Sequence, residues 1–158
     1  MSAIDRFAER ARSVARTIVL PEGQDPRVII AANKAVDEKV VAKIIVLGTE
    51  AEISAACAQA GVTERKFETI DYLASDLLAK FADQMYEMRK AKGVTPEKAL
   101  AMVSSRIYFA AMMCKNKLAD GLVAGSIAST ADMLRAIHFR SVSWLYLNPH
   151  WTETVVMG

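Results

Sequence analysis

The sequence predicts an α/β fold, a parallel sheet with helices on both faces. Three observations carry this. Short runs such as Ile18-Val19-Leu20 and Ile44-Ile45-Val46-Leu47 are apolar without alternation, the pattern of strands buried on both sides. Between such runs lie stretches of ten or more residues with apolar positions at helical spacing. Cap and stop residues mark the junctions, so strand and helix alternate along the chain. Connections should be right-handed crossovers.

Residues 4–14 read as an amphipathic helix, with Ile4, Phe7, Ala8, Ala11 and Val14 on one stripe. A strand at 17–20 closes in Pro21-Glu22-Gly23. Asp25-Pro26 is an N-cap followed by proline at the first helical position, where no N–H is needed, and this helix should reach about residue 38. A second strand, 43–47, stops at Gly48; Thr49 caps a helix over 50–60 that Gly61 ends. Residues 67–70 form a third strand. The longest helix spans 75–91, with Leu77, Leu78, Phe81, Met85 and Met88 as its inner stripe and Gly93 past its end. Thr95-Pro96-Glu97 opens a short helix by the same cap-then-proline logic, and another covers 106–116. A fourth strand follows at 121–125, and Ser129 or Thr130 caps a helix through Arg135.

Composition narrows the function classes. An apolar fraction of 53% with 24% charged residues supports a packed core rather than disorder. A net charge of +2 is too small to make nucleic acid or a membrane surface the main partner. Cys57 and Cys114 lie in apolar helical patterns and form no CxxC pair, which argues for a reducing cytoplasm and against a disulfide framework. Residues 1–16 alternate charge and alanine, unlike a signal peptide, and no run approaches 18 apolar residues. The absence of GxGxxG, a Walker loop, GxSxG and HExxH disfavours a dinucleotide dehydrogenase, a P-loop kinase, a lipase-type hydrolase and a zincin. His138 and His150 are too few and too displaced to build a metal site. Neither cysteine has a neighbouring base in sequence, so neither reads as a nucleophile. Met112-Met113-Cys114 reads as core filling.

Ligands of open α/β sheets bind beyond the carboxyl ends of the strands, which selects two segments. The first is Leu20-Pro21-Glu22-Gly23, leading into the helix that carries Arg27. The second runs from Asp120 through Gly125-Ser126 to Ser129-Thr130 and the helix that carries Arg135. Gly125 lets the backbone approach a ligand, and the helix start beyond it offers unpaired N–H groups and a partial positive charge. Ser126, Ser129 and Thr130 add hydroxyls, and Arg135 supplies a bidentate fork for phosphate. The same residues also describe a tight turn with an ordinary N-cap. Arg89-Lys90-Ala91-Lys92-Gly93 is a basic cluster at a helix C-terminus, where compensation of the helix dipole on a solvated face is the simpler account.

Several strings, in order, resemble one family. Ile18-Val19-Leu20-Pro21-Glu22-Gly23 with Arg27, Tyr86-Glu87-Met88-Arg89 through Thr95 and Ala99, and Tyr108-Phe109-Ala110-Ala111-Met112-Met113 come first. Ala119-Asp120-Gly121-Leu122-Val123-Ala124-Gly125 and Ser129-Thr130-Ala131-Asp132-Met133-Leu134-Arg135 follow. Together they resemble the phosphate acetyltransferase (phosphotransacetylase) family over residues 1–136. The resemblance implies the first domain of a two-domain α/β acyltransferase, usually a homodimer, with its active site in the cleft between domains. It implies acetyl transfer between acetyl phosphate and coenzyme A in the cytoplasm, with coenzyme A as substrate and no metal or other cofactor. Arg89 and Arg135 fall where that family's coenzyme- or phosphate-binding arginines lie. The resemblance also strengthens Gly125, Ser126, Ser129 and Thr130 as substrate-binding candidates.

Beyond Arg135 the sequence changes character: His138, Trp144, His150 and Trp151 crowd into residues 138–158, and neither residue type occurs earlier. The expected organisation is an N-terminal α/β domain at 1–136 and a divergent tail at 137–158. The serine and aspartate that the resemblance links to the tetrahedral intermediate and the thiol belong to a C-terminal half not contained here, so no catalytic residue is assigned. The expected function is phosphate acetyltransferase, with this chain an incomplete form. The alternatives are a non-catalytic fragment that binds phosphate or coenzyme A, a related phosphate butyryltransferase, and the domain fused to some malic enzymes.

Overall fold

The chain begins with a capped helix that buries none of its own residues. In the computed structural model, which describes residues 2–137 and the backbone of 145–146, Ala3–Val14 forms α1 behind a capping box of Ser2 and Asp5. The amphipathic pattern is real, yet no residue of α1 is buried; Ile4 and Phe7 are 78% and 71% exposed. One tie to the rest is the Arg12 guanidinium, which donates from Nε to the Glu38 carbonyl at 2.9 Å.

Strands β1 (Thr17–Leu20) and β2 (Lys43–Leu47) pair in parallel, residue 17 opposite 43 through residue 20 opposite 46. Strand β3 (Glu68–Ile70) lies outside β2, and β4 (Gly121–Val123) lies on the other side of β1. A two-residue strand β5 (Leu145–Tyr146) adds beside β4, giving five parallel strands in the order β3-β2-β1-β4-β5. No strand is expected from the sequence beyond 125; β5 falls in the segment expected to be a tail, and its pairing comes from the open edge of β4. The third and fourth strands are also shorter than expected, because the chain turns away at Phe67 and at Ala124.

Doubly apolar strands require cover on both faces. Alternate residues deliver it. Ile44 and Val46 face one side, with Ile29 and Ala32 of α2 (Pro26–Asp37) and Ile53, Ala56 and Cys57 of α3 (Glu50–Ala60). Val19, Ile45 and Leu47 face the other, with Phe81 and Met85 of α4 (Leu77–Arg89), Val103 of α5 (Pro96–Val103) and residues 109–113 of α6 (Arg106–Lys115). Phe109 is its hub, edge-on to Phe81 at 5.0 Å and to Tyr72 at 6.1 Å. Met112 and Met113 are fully enclosed, as core filling requires. Met88 departs from the expected inner stripe of α4 and is 37% exposed, because the helix has run past the core by its last turn.

The predicted junctions are built as their chemistry dictates. Asp25 accepts from the Arg27 N–H ahead of Pro26, and Thr49 and Glu52 complete a capping box on α3. Gly61 and Gly93 close their helices with left-handed φ of 68° and 78°. A single 3-10 turn, Lys90–Lys92, separates α4 from the loop to α5. The last described helix, α7 (Thr130–Ile137), is anchored by Met133 and Ala136 in the same core as α6.

Candidate anion-binding site

The strand order places the topological switch between β1 and β4: the chain leaves β1 towards β2 on one side and leaves β4 towards β5 on the other. A crevice at the carboxyl ends of such a pair is the favoured ligand site of an open α/β sheet. Here the two loops that meet there are 21–25, after β1, and 124–129, after β4. A groove of about 310 Å³ opens beside them, walled by Glu22, Gln24 and Tyr72, by Ser105 and Arg106 at the start of α6, and by Ile127 and Asp132.

Glu22 organises the crevice. Its side chain is 3% exposed, and its carboxylate receives four successive backbone N–H groups. Oε2 accepts from Gly125 at 2.8 Å and Ser126 at 2.9 Å, with the Ser126 hydroxyl at 3.1 Å. Oε1 accepts from Ile127 at 2.8 Å and Ala128 at 2.7 Å. Gly125 adopts a φ of 108°, which turns the following amides towards one point and which a side chain would resist. Burial pushes the Glu22 carboxyl up, but the N–H groups of Ala128, Ser126, Ile127 and Gly125 outweigh it and hold it below the ordinary carboxylate value.

Arg27 ties the same two loops together. Its guanidinium grips Asp25 through Nε (3.1 Å to each oxygen) and Nη2 (2.7 Å), and Nη2 also donates to the Ser126 carbonyl at 3.0 Å. Asp25 is 4% exposed, and the bonds from Arg27 hold its carboxyl below the usual range against the effect of burial.

These bonds decide how the predicted site residues stand. Gly125 and Ser126 are in the crevice, but their N–H groups and the Ser126 hydroxyl face Glu22 rather than solvent. The anion-shaped loop was legible in the sequence; its occupant, a carboxylate from the chain itself, was not. Ser129 and Thr130 are exposed at the start of α7. The Ser129 hydroxyl donates to Asp132 at 2.7 Å and accepts the Asp132 N–H at 3.2 Å, a cap of the expected kind. Arg135 reaches back to Asp132 at 3.1 Å, both side chains well exposed.

Arg89 is not brought to this crevice. The start of α6 lines the groove, whereas Asn116, at the other end of α6, exchanges two hydrogen bonds with Gln84 of α4 at 2.8 and 2.9 Å. Ten residues of helix separate the two ends of α6, about 15 Å. Arg89 lies five residues beyond Gln84, half-buried in the last turn of α4, and is not among the residues that line the groove.

The groove also contains Arg106 and Gln24, which no sequence motif singles out. Arg106 donates from Nη2 to Glu52 at 2.5 Å and from Nη1 to the Leu47 carbonyl at 3.4 Å, and its guanidinium lies 5.0 Å from the centre of the Tyr72 ring. Gln24 presents a buried Oε1 with no hydrogen-bond partner among the described residues. Only the positions of Gln24 after the Pro-Glu-Gly turn and of Arg106 at a helix start marked them. Away from the groove, burial and the nearby Asp120 push the Cys114 thiol up to about 12, which leaves it no thiolate character near neutrality. Among the described residues no helix is long and apolar enough to cross a membrane.

Comparison with known proteins supplies the family. The model of the phosphate acetyl/butaryl transferase family matches residues 2–139. The phosphate acetyltransferase of Thermoanaerobacterium thermosaccharolyticum is 44% identical over 135 residues, 85% of this chain and 40% of that protein. That of Paracoccus denitrificans is 38% identical over 136 residues, 86% of this chain and 39% of that protein. Among solved structures, a phosphotransacetylase from Streptococcus pyogenes superposes with a TM-score of 0.77 at 32% identity, over 86% of this chain and 42% of that one. The EutD phosphotransacetylase from Staphylococcus aureus gives 0.75 at 31% identity over the same shares. The chain thus spans about two fifths of the length of the curated relatives it matches. With the fold, the order of its motifs and the family model all in agreement, the chain belongs to the phosphate acetyl/butaryl transferase family.

Proposed function

We propose that this chain forms the coenzyme A- and phosphate-holding part of a phosphate acetyltransferase, which exchanges an acetyl group between acetyl phosphate and coenzyme A. The observation that carries the reading is the position of Ser129–Arg135 at the carboxyl edge of β4, beside the switch point, in a chain of this family. The names of its relatives favour an acetyl over a butyryl donor.

The chemistry asks for three things. A free thiol has a pKa near 8.5, so the proton of coenzyme A must be removed by a base. The thiol and the acetyl carbonyl must be aligned, and the oxyanion of the tetrahedral intermediate must be stabilised. Arg135 supplies a fork for a phosphate, either of the substrate or of the coenzyme, and its bond to Asp132 is exposed enough to be exchanged for one. Because the Gly125 and Ser126 amides serve Glu22, the anion is met by side chains of α7 rather than by the loop backbone. Arg89, outside the groove lining, is kept as a contact for another phosphate of the coenzyme. Arg89→Ala should then weaken coenzyme A while leaving inorganic phosphate unaffected. The base and the oxyanion donors come from the part of the family fold outside the described residues. No metal or prosthetic group is needed, and a cytoplasmic homodimer belongs to the same proposal.

The 158-residue chain on its own should therefore bind coenzyme A without turning over. Loss of a general acid–base group alone costs about 10² to 10⁴ in rate. Coenzyme A binding and acetyl-CoA formation from acetyl phosphate, measured on one sample, test this. Binding with a rate at least about 10² below that of an intact family enzyme is expected; absence of binding overturns the reading.

A further inference from the structure

Four consecutive N–H groups and a hydroxyl converging on one point form a receptor for an oxyanion. In this chain the receptor is filled by Glu22, which reaches it across more than one hundred residues of sequence from the turn after β1. Ser126 is held twice from that side: its N–H and hydroxyl by Glu22 of the turn, and its carbonyl by Arg27 in the first turn of α2. The contact is therefore a clamp between the two loops of the switch point.

What the clamp controls is α7. This helix has eight residues, and helices so short depend on their surroundings for their placement. Its described core contacts are Met133 and Ala136, both on the side facing α6. Its start follows Ala128 by two residues, and Ala128 is the last residue whose N–H Glu22 receives. The direction in which Ser129, Asp132 and Arg135 leave the sheet is thus set at one end by Glu22.

We propose that Glu22 is a positioning residue for the anion site: by holding residues 125–128 it fixes the start of α7 and presents Arg135 to its ligand. The coenzyme part of this rests on the function proposed above; the clamp does not. Glutamine at position 22 keeps the shape but offers an NH₂ group to amides that need an acceptor, so it breaks the clamp with little change in volume. Aspartate keeps the charge and is one methylene shorter, so it restores part of the set. Among the described residues, the charged groups around Glu22 are Asp25 from its own turn, Arg27 from the start of α2, Arg106 from the start of α6 and Asp132 from α7. Only Glu22 among them accepts the four loop amides.

Two measurements on the 158-residue chain decide it. In amide NMR of the wild type, the Gly125, Ser126, Ile127 and Ala128 signals should move together as one carboxylate is protonated below its ordinary pH range. In Glu22→Gln that joint movement should vanish. Exchange of these amides and of Met133 N–H, which bonds the Ser129 carbonyl at 3.1 Å, should speed up at least about tenfold while β1 and β2 stay protected. Unchanged exchange in Glu22→Gln overturns the proposal whatever the chain binds. The second measurement is a double-mutant cycle with coenzyme A as probe. Glu22→Gln should weaken binding at least about tenfold, Glu22→Asp less, and Glu22→Gln should add less than about twofold to Arg135→Ala. Full additivity would show that Glu22 does not act through Arg135 and would also overturn it. If the wild type binds no coenzyme A, the proposed function fails, and the amide measurement alone judges the clamp.

Discussion

At the scale of single residues, a carboxylate removed from water is normally easier to protonate, and Glu22 reverses this because four N–H groups lower its charged form more than burial raises it. The folded value lies below the unfolded one, so the stability that Glu22 contributes is present above the ordinary carboxylate range. It is lost as pH falls through the folded value. Glu22→Gln should cost about 1–3 kcal/mol at pH 7, the penalty for leaving buried donors unsatisfied. The gap from wild type should close as pH drops below 4.5, the ordinary value. Urea unfolding over a pH series checks this; a gap that persists into acid would contradict it. Arg135 behaves differently. Its pairing with Asp132 is exposed, so Arg135→Ala should alter stability by less than about 0.5 kcal/mol. The two residues were unequally legible. Arg135 stands in a motif whose chemistry is local. The partner of Glu22 is brought to it only by the sheet order, which no local pattern records.

Among the elements, the best-read were those with chemical punctuation. Asp25-Pro26, Thr49 with Glu52, and Thr95-Pro96 each satisfy orphan helix N–H groups by a side chain within three positions, so the first two helices fell within a residue of their expected spans and the third began where expected. Helix α1 was read correctly as a helix and as amphipathic, but periodicity states only that one face is apolar, not that anything lies against it. The two-residue β5 carried no pattern at all; it exists through pairing with β4. One turn makes a sharper prediction. A Cβ at Gly23 would lie 2.5 Å from the Leu47 carbonyl oxygen and 2.7 Å from Val46 Cγ1, where β1 hands over to the site. Gly23→Ala should destabilise by about 1–3 kcal/mol through overpacking against backbone. Gly61→Ala meets open space and only a left-handed φ, so about 1 kcal/mol is expected. Thermal melts of the two variants side by side should show that order, and the reverse order would sink the packing argument.

For the molecule as a whole, two cores grip one sheet, and the surface beyond them is unusually apolar in places. Ile4 and Phe7 on α1, and Ile127 and Leu134 around the site, are each more than half exposed. Such patches favour association. The 158-residue chain should therefore elute with a concentration-dependent apparent mass in size-exclusion chromatography. Phe7→Ser should reduce that dependence without lowering the melting temperature, since α1 buries nothing. An unchanged elution profile would remove α1 from the contact. On the function proposed above, coenzyme A is held through Arg135, in the last turn of α7. Calorimetric titration of coenzyme A into wild type, Arg135→Ala and Arg135→Lys tests it most directly. A loss of about 1.5–3 kcal/mol is expected in the alanine variant, roughly ten- to a hundredfold in affinity. Lysine should recover only part of it, because the bidentate fork is gone. Equal affinity in all three would show that Arg135 does not hold the coenzyme.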